Sequence, residues 1–130
     1  ALPIGLRVLL VEDDVDVRRM TTRMLRLMGC RVTPVGNGEQ ALAMLARRRG
    51  FDVVLSDIAL GAGIRGTRVA IEAHRRHPGL AVVLMSGFSA ELIDEEQAEP
   101  PAPLLTKPFD RAALAGALAR ALASERQGRR

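Results

Sequence analysis

Arg7-Val8-Leu9-Leu10-Val11-Glu12-Asp13-Asp14 opens the chain's pattern of strands and helices. Four apolar residues in succession, without polar alternation, suit a strand buried on both faces, as in a parallel sheet. The run then breaks into acids, which puts charge where the strand ends. Immediately downstream, Val17, Met20, Met24, Leu27 and Met28 recur at intervals of three and four, one helical stripe closed by Gly29. The methionines Met20, Met24 and Met28 are read as core.

The same alternation continues along the chain. Arg31–Val35 reads as a second strand, and Asn37-Gly38-Glu39 starts a helix carrying Ala41, Leu42, Leu45 and Ala46 up to Gly50. Asp52–Ser56 is a third strand, followed by a glycine-rich loop from Gly61 to Gly66 and a helix with Val69, Ala70 and Ala73 that stops at Pro78. Leu80–Met85 is the fourth strand. Ser89 caps a helix through Ala98, which Pro100, Pro101 and Pro103 end. Leu104–Thr106 is a short fifth strand, and Asp110 caps a last helix with Leu114, Leu118 and Leu122 on its apolar stripe. Strands alternating with helices imply right-handed crossovers and an α/β, doubly wound five-stranded parallel sheet with helices on both faces. One domain is expected over residues 1–130, with its core at about 6–123 and a flexible basic tail over 124–130.

Composition narrows the function classes. Of 130 residues, 48% are apolar and 26% charged, which suits a chain that closes a hydrophobic core. Apolar runs such as Leu80–Met85 are too short to span a bilayer, and no charged-then-apolar leader stands at the start. Cys30 is the single cysteine and has no partner for a disulfide; a cytoplasmic protein is the expectation. The net charge is +4, and all but Lys107 of the nineteen basic residues are arginines. These are dispersed, and with no Trp or Tyr and three Phe there is little to stack on bases, so no direct nucleic-acid contact is expected. His74 and His77 are read as exposed residues of an arginine-rich helix.

In doubly wound domains ligands bind beyond the carboxyl ends of the strands. Those ends carry Glu12, Asp13 and Asp14, then Ser56 and Asp57, then Ser86 and Gly87, then Thr106, Lys107 and Pro108. If the strand order is the flavodoxin-like 2-1-3-4-5, these groups share one rim. Carboxylates gathered there repel one another unless a cation joins them, and hard oxygen donors suit Mg²⁺. A lysine and a hydroxyl beside them complete a site for a phosphoryl group. Each residue taken singly has an ordinary role open to it: Asp14 as a helix cap, Ser86-Gly87 as a turn, Lys107 as a solvated side chain.

Four motifs in this order and spacing, Val8-Leu9-Leu10-Val11-Glu12-Asp13, Leu55-Ser56-Asp57, Leu84-Met85-Ser86-Gly87 and Thr106-Lys107-Pro108-Phe109, resemble the response-regulator receiver domain of two-component signalling. The resemblance runs from about Leu6 to Ala123. It implies that Asp57 takes a phosphoryl group from a kinase phosphohistidine, in a module that catalyses its own aspartyl phosphorylation and turns over no outside substrate. It further implies Asp13 as direct metal ligand, Glu12 as a second acid acting through water, and the backbone carbonyl of Ala59 as a further ligand, all to Mg²⁺. Ser86 would be the switch hydroxyl, and Lys107, before a cis bond to Pro108, would pair with the phosphoryl group. The implied output surface is the segment around residues 89–98, the fifth strand and the last helix.

Departures from the family pattern are specific. Leu104 replaces the aromatic ring common three residues before the lysine. The loop after Asp57 lacks a Met-Pro pair and is one residue longer. With Ser86-Gly87-Phe88, this resembles receivers attached to hybrid histidine kinases, so the partner is a histidine kinase or phosphotransfer protein, or kinase domains in the same polypeptide. Ala59 and Phe88, at the two positions that influence the hydrolytic water in the family, imply slow loss of the phosphoryl group.

Three other classes compete. A haloacid-dehalogenase-type phosphatase resembles an Asp-x-Asp motif, where this chain has Glu12-Asp13-Asp14. A receiver-like module that binds partners without phosphorylation has no need of intact acids, Ser86 and Lys107. A dinucleotide-binding domain needs a glycine-rich turn where this first strand ends in acids.

Overall fold

The computed structural model describes residues 2–48, 50–87 and 101–128, with side chains described through Glu125. Strands β1 (Arg7–Val11), β2 (Arg31–Val35), β3 (Val53–Asp57), β4 (Ala81–Ser86) and β5 (Leu104–Thr106) form one parallel sheet in the order β2-β1-β3-β4-β5. Helices α1 (Val15–Leu27), α2 (Gly38–Arg47), α3 (Gly66–Arg76) and α4 (Arg111–Gly128) connect and follow the strands. The expected helix at 89–98, and Phe88 with it, lies outside the described residues.

The unbroken apolar run of β1 serves both faces. Val8 and Leu10 point into a core shared with Leu25 of α1 and Leu114 and Leu118 of α4. Leu9 and Val11 point the opposite way, into a core with Ala41 and Leu45 of α2 and Val69, Ala70 and Ala73 of α3. Every residue of β3 and β4 is buried, as a strand covered on both sides requires. Strand order reverses between β1 and β3, so the crevice at their carboxyl ends is where this topology opens a ligand site.

Three of the expected caps are in place. Asp14 accepts from the N–H groups of Asp16 and Val17, Asn37 from that of Gln40, and Asp110 from that of Ala113. Asp14→Ala is expected to lower stability by about 1 kcal/mol. The denaturant midpoint should fall with its slope unchanged, and an unmoved midpoint would show that water replaces the cap.

Four readings need correction. On α1 the buried positions are Thr21, Thr22 and Leu25, while Met20 is 61% and Leu27 64% exposed. The helix is rotated from its apolar stripe because two threonines occupy seats against the sheet, which leaves Met20 at a cleft beside the site and Met24 and Met28 half-buried. His74 and His77 are half-buried, not exposed, and His77 Nε2 lies 2.9 Å from the carbonyl oxygen of Leu45. Helix α4 continues past Ser124 to Gly128, because nothing in that segment breaks a helix before the glycine. β3 and β4 each end one residue later than expected, which makes Asp57 and Ser86 the last residues of their strands.

Candidate functional site

Parallel register carries the four motifs to one rim. Val11 pairs with Ser56, Asp57 with Met85, and Ser86 with Thr106, so the residues that follow β1, β3, β4 and β5 meet at the carboxyl edge. The Lys107 N–H donates to the Ser86 carbonyl at 2.8 Å, tying the ends of β4 and β5 together. Ser86 is buried, and the Lys107–Pro108 peptide is cis.

Glu12, Asp13 and Asp57 each offer a carboxylate oxygen, and these atoms all lie within 4.8 Å of one another. Glu12 and Asp57 are 1% and 6% exposed, whereas Asp13 faces solvent. Lys107 Nζ lies between the two buried acids, 2.6 Å from Glu12 Oε1 and 2.8 Å from Asp57 Oδ2. The remaining oxygens have weaker partners: the Asp14 N–H donates to Glu12 Oε2 at 3.2 Å, and the Ala59 N–H to Asp57 Oδ1 at 3.3 Å. Burial pushes the Glu12 carboxyl up to about 7, with Asp57 adding to the rise and the Lys107 hydrogen bond opposing it. Burial works against the Lys107 ammonium too, but its hydrogen bonds with Asp57 and Glu12 outweigh that and hold it above the usual lysine value. One ammonium therefore faces three carboxylates, and the excess of hard oxygen donors on one rim is the chemistry that suits a small divalent cation. The same groups line an open cleft of about 690 Å³, whose other wall is Val17, Met20, Met24 and Phe109.

The backbone around the site has partners that the sequence reading missed. Arg18 reaches back from α1, its Nη1 donating to the carbonyl of Glu12 at 2.8 Å and lying 3.5 Å from that of Asp13. Its spacing from the acids is that of any surface arginine, and no motif marked it. Gly66 opens α3 directly against β3: a Cβ there would stand 1.9 Å from the Asp57 carbonyl oxygen. The glycine-rich loop carried that signal, although its meaning needed the register. Leu104, in the place of the expected aromatic ring, packs half-buried on the α2–α3 side of the sheet.

A parallel doubly wound sheet with a carboxylate cluster and one lysine at its switch point defines the class: a flavodoxin-like domain with an acidic, cation-ready site. A family model described as the response regulator receiver domain matches residues 8–119, and the chain belongs to that family. It is 38% identical over 91 residues to the sensor protein TorS of Escherichia coli K12, a match that covers 70% of this chain and 10% of TorS. It is 34% identical over 104 residues to the response regulator receiver protein CpdR of Brucella abortus, covering 79% of this chain and 85% of CpdR. Among solved structures, the receiver domain of a sensor histidine kinase from Pseudomonas aeruginosa PAO1 superposes with a TM-score of 0.79 at 30% identity. That match covers 92% of this chain and 98% of the other, and that structure has a magnesium ion coordinated in its active-site cleft. The chain is thus a receiver domain of two-component systems, with the family's strand order. Among the described residues no helix is long and apolar enough to cross a membrane.

Proposed function

We propose that this receiver accepts a phosphoryl group on Asp57 in a Mg²⁺-dependent reaction and thereby switches a partner-binding surface. The observation that carries this is Asp57, buried at the end of β3, grouped with Glu12 and Asp13 and bridged by Lys107. A carboxylate oxygen of Asp57 attacks phosphorus, the bond from phosphorus to the donor's imidazole nitrogen breaks, and an acyl phosphate forms. Glu12, Asp13 and Asp57, with the carbonyl of Ala59 as a further ligand, would hold Mg²⁺, which would supply neutralising charge for the transferred group. Lys107 exchanges its bond to Asp57 for one to the phosphoryl oxygens, and the Ser86 hydroxyl donates to the same group. Both contacts exist in the phosphorylated state and so bias the conformational equilibrium toward it.

The donor is a phosphohistidine on a histidine kinase or phosphotransfer protein, in the cytoplasm. The kinship with TorS and with a sensor-kinase receiver supports a hybrid kinase as the setting. Slow hydrolysis follows from Ala59, which offers no side-chain hydrogen bond to orient water.

Hydroxylamine trapping tests the acceptor. After phosphorylation by a small acyl phosphate, hydroxylamine should convert one aspartate to its hydroxamate in the tryptic peptide running from Gly50 to Arg65. Fragmentation should place it at Asp57; a hydroxamate at Asp52, or none, would contradict the assignment.

The cation has its own test. At a hundredfold excess over its dissociation constant, Mg²⁺ should raise unfolding free energy by about 2.7 kcal/mol. The gain should disappear with chelator and shrink in Asp13→Asn. Identical melting curves with and without Mg²⁺ would rule out the ligand set.

A further inference from the structure

The loop that follows the phosphoacceptor packs against α2 through Leu60 and Ile64, and Glu39 of α2 adds a hydrogen bond to its backbone. Glu39, in the first turn of α2, accepts the Ile64 N–H on Oε2 at 3.2 Å. Its carboxylate lies over the bare Cα of Gly63, where a Cβ would stand 2.6 Å from Oε2. Beside it, Gly38 meets the Ile64 backbone, a Cβ there being 2.9 Å from the Ile64 carbonyl oxygen. At the loop's other edge a Cβ on Gly61 would stand 3.2 Å from Asp13 Oδ2, and the Ala59 N–H reaches Asp57 Oδ1. The loop is therefore sandwiched, with Gly61 against Asp13 and Gly63 against Glu39. It contains no proline, and Gly61 and Gly63 take φ of +68° and +94°, so its own backbone chemistry does little to restrict it. Leu60 anchors its start in the core, and the exposed stretch from Gly61 to Gly63 is left for contacts from α2 to place.

We propose that Glu39 is a positioning residue for the cation site, its carboxylate latching loop 59–65 so that the Ala59 backbone and the bare Gly61 stay registered on Asp57 and Asp13. This rests on the reading of Glu12, Asp13 and Asp57 as Mg²⁺ ligands and adds to it a residue from α2, an element that supplies no ligand. The latch needs an oxygen acceptor at the right reach and not a negative charge, which separates it from a long-range electrostatic effect on the cation.

Calorimetric Mg²⁺ titration of the full chain, paired with amide exchange at Ile64, tests the proposal. Glu39→Ala should weaken Mg²⁺ binding about tenfold, the low end of what lost outer-shell support costs. The Ile64 amide should exchange faster in that variant, while the global unfolding midpoint stays close to the wild type. Glu39→Gln keeps an acceptor oxygen and should bind Mg²⁺ within about twofold of the wild type. Wild-type affinity and unchanged Ile64 protection in Glu39→Ala would overturn the latch. Equal weakening in both variants would overturn it too, and assign the effect to charge. If the wild type itself binds no Mg²⁺, the cation reading fails and this role with it, even where Ile64 exchange reports the latch.

Discussion

Gly66→Ala is expected to destabilise the protein by about 3 kcal/mol, the upper part of the range for forced overpacking. An added Cβ would stand 1.9 Å from the Asp57 carbonyl oxygen, 2.8 Å from its carbonyl carbon and 2.9 Å from the Ile58 Cα. All three are backbone atoms and none can swing aside as a flexible side chain would. Relief requires the start of α3 to move off β3, which breaks the 3.0 Å bond from the Gly66 N–H to the Ile58 carbonyl. It also displaces Asp57, so phosphoryl acceptance should fall along with stability. In a domain of this size the loss should appear as a fall in melting temperature of about 10 °C. An unchanged melting temperature would mean that α3 does not begin against the end of β3.

Lys107→Ala carries the second large effect. Lys107 is 21% exposed, and its ammonium separates two buried carboxylates at 2.6 and 2.8 Å. Removing one partner of a buried ion pair is costly because the other charge stays behind, and the partial exposure here reduces the cost to about 2 kcal/mol. Glu12, already pushed up to about 7 by burial, can take up a proton in the variant, which limits the loss further at neutral pH. Mg²⁺ should restore much of the lost stability, since it replaces the missing positive charge, whereas transfer of a phosphoryl group should remain impaired. Denaturant titrations with and without Mg²⁺ measure both quantities. A variant as stable as the wild type in chelator would show that the two carboxylates do not depend on Lys107.

Much of the fold was legible because the physics was local. Val8-Leu9-Leu10-Val11 has no polar face to spare, which requires helices on both sides, and the structure divides those residues between two cores. Asp14, Asn37 and Asp110 stand where a helix start needs an acceptor, and each accepts from the expected turn. The grouping of Glu12, Asp57 and Lys107 followed from the sheet order, since each ends or follows a strand of the same parallel sheet. The rotation of α1 was not legible. Its most regular apolar stripe included Met20 and Leu27, but Thr21 and Thr22 are buried instead, a choice made by the tertiary surface that the helix packs on. Arg18 was marked by no pattern, and Glu39 only as part of a helix start. Glu39 acts on a backbone group 25 residues further on, at Ile64, whereas Arg18 folds back onto carbonyls five and six residues before it.

The most direct check on Asp57 as acceptor is intact mass after incubation with Mg²⁺ and a small acyl phosphate, wild type beside Asp57→Asn. The expected result is one added phosphoryl group on the wild type, absent from Asp57→Asn and abolished by chelator. One added phosphoryl group on Asp57→Asn as well, or on the wild type in chelator, would contradict the assignment of Asp57 as the Mg²⁺-dependent acceptor.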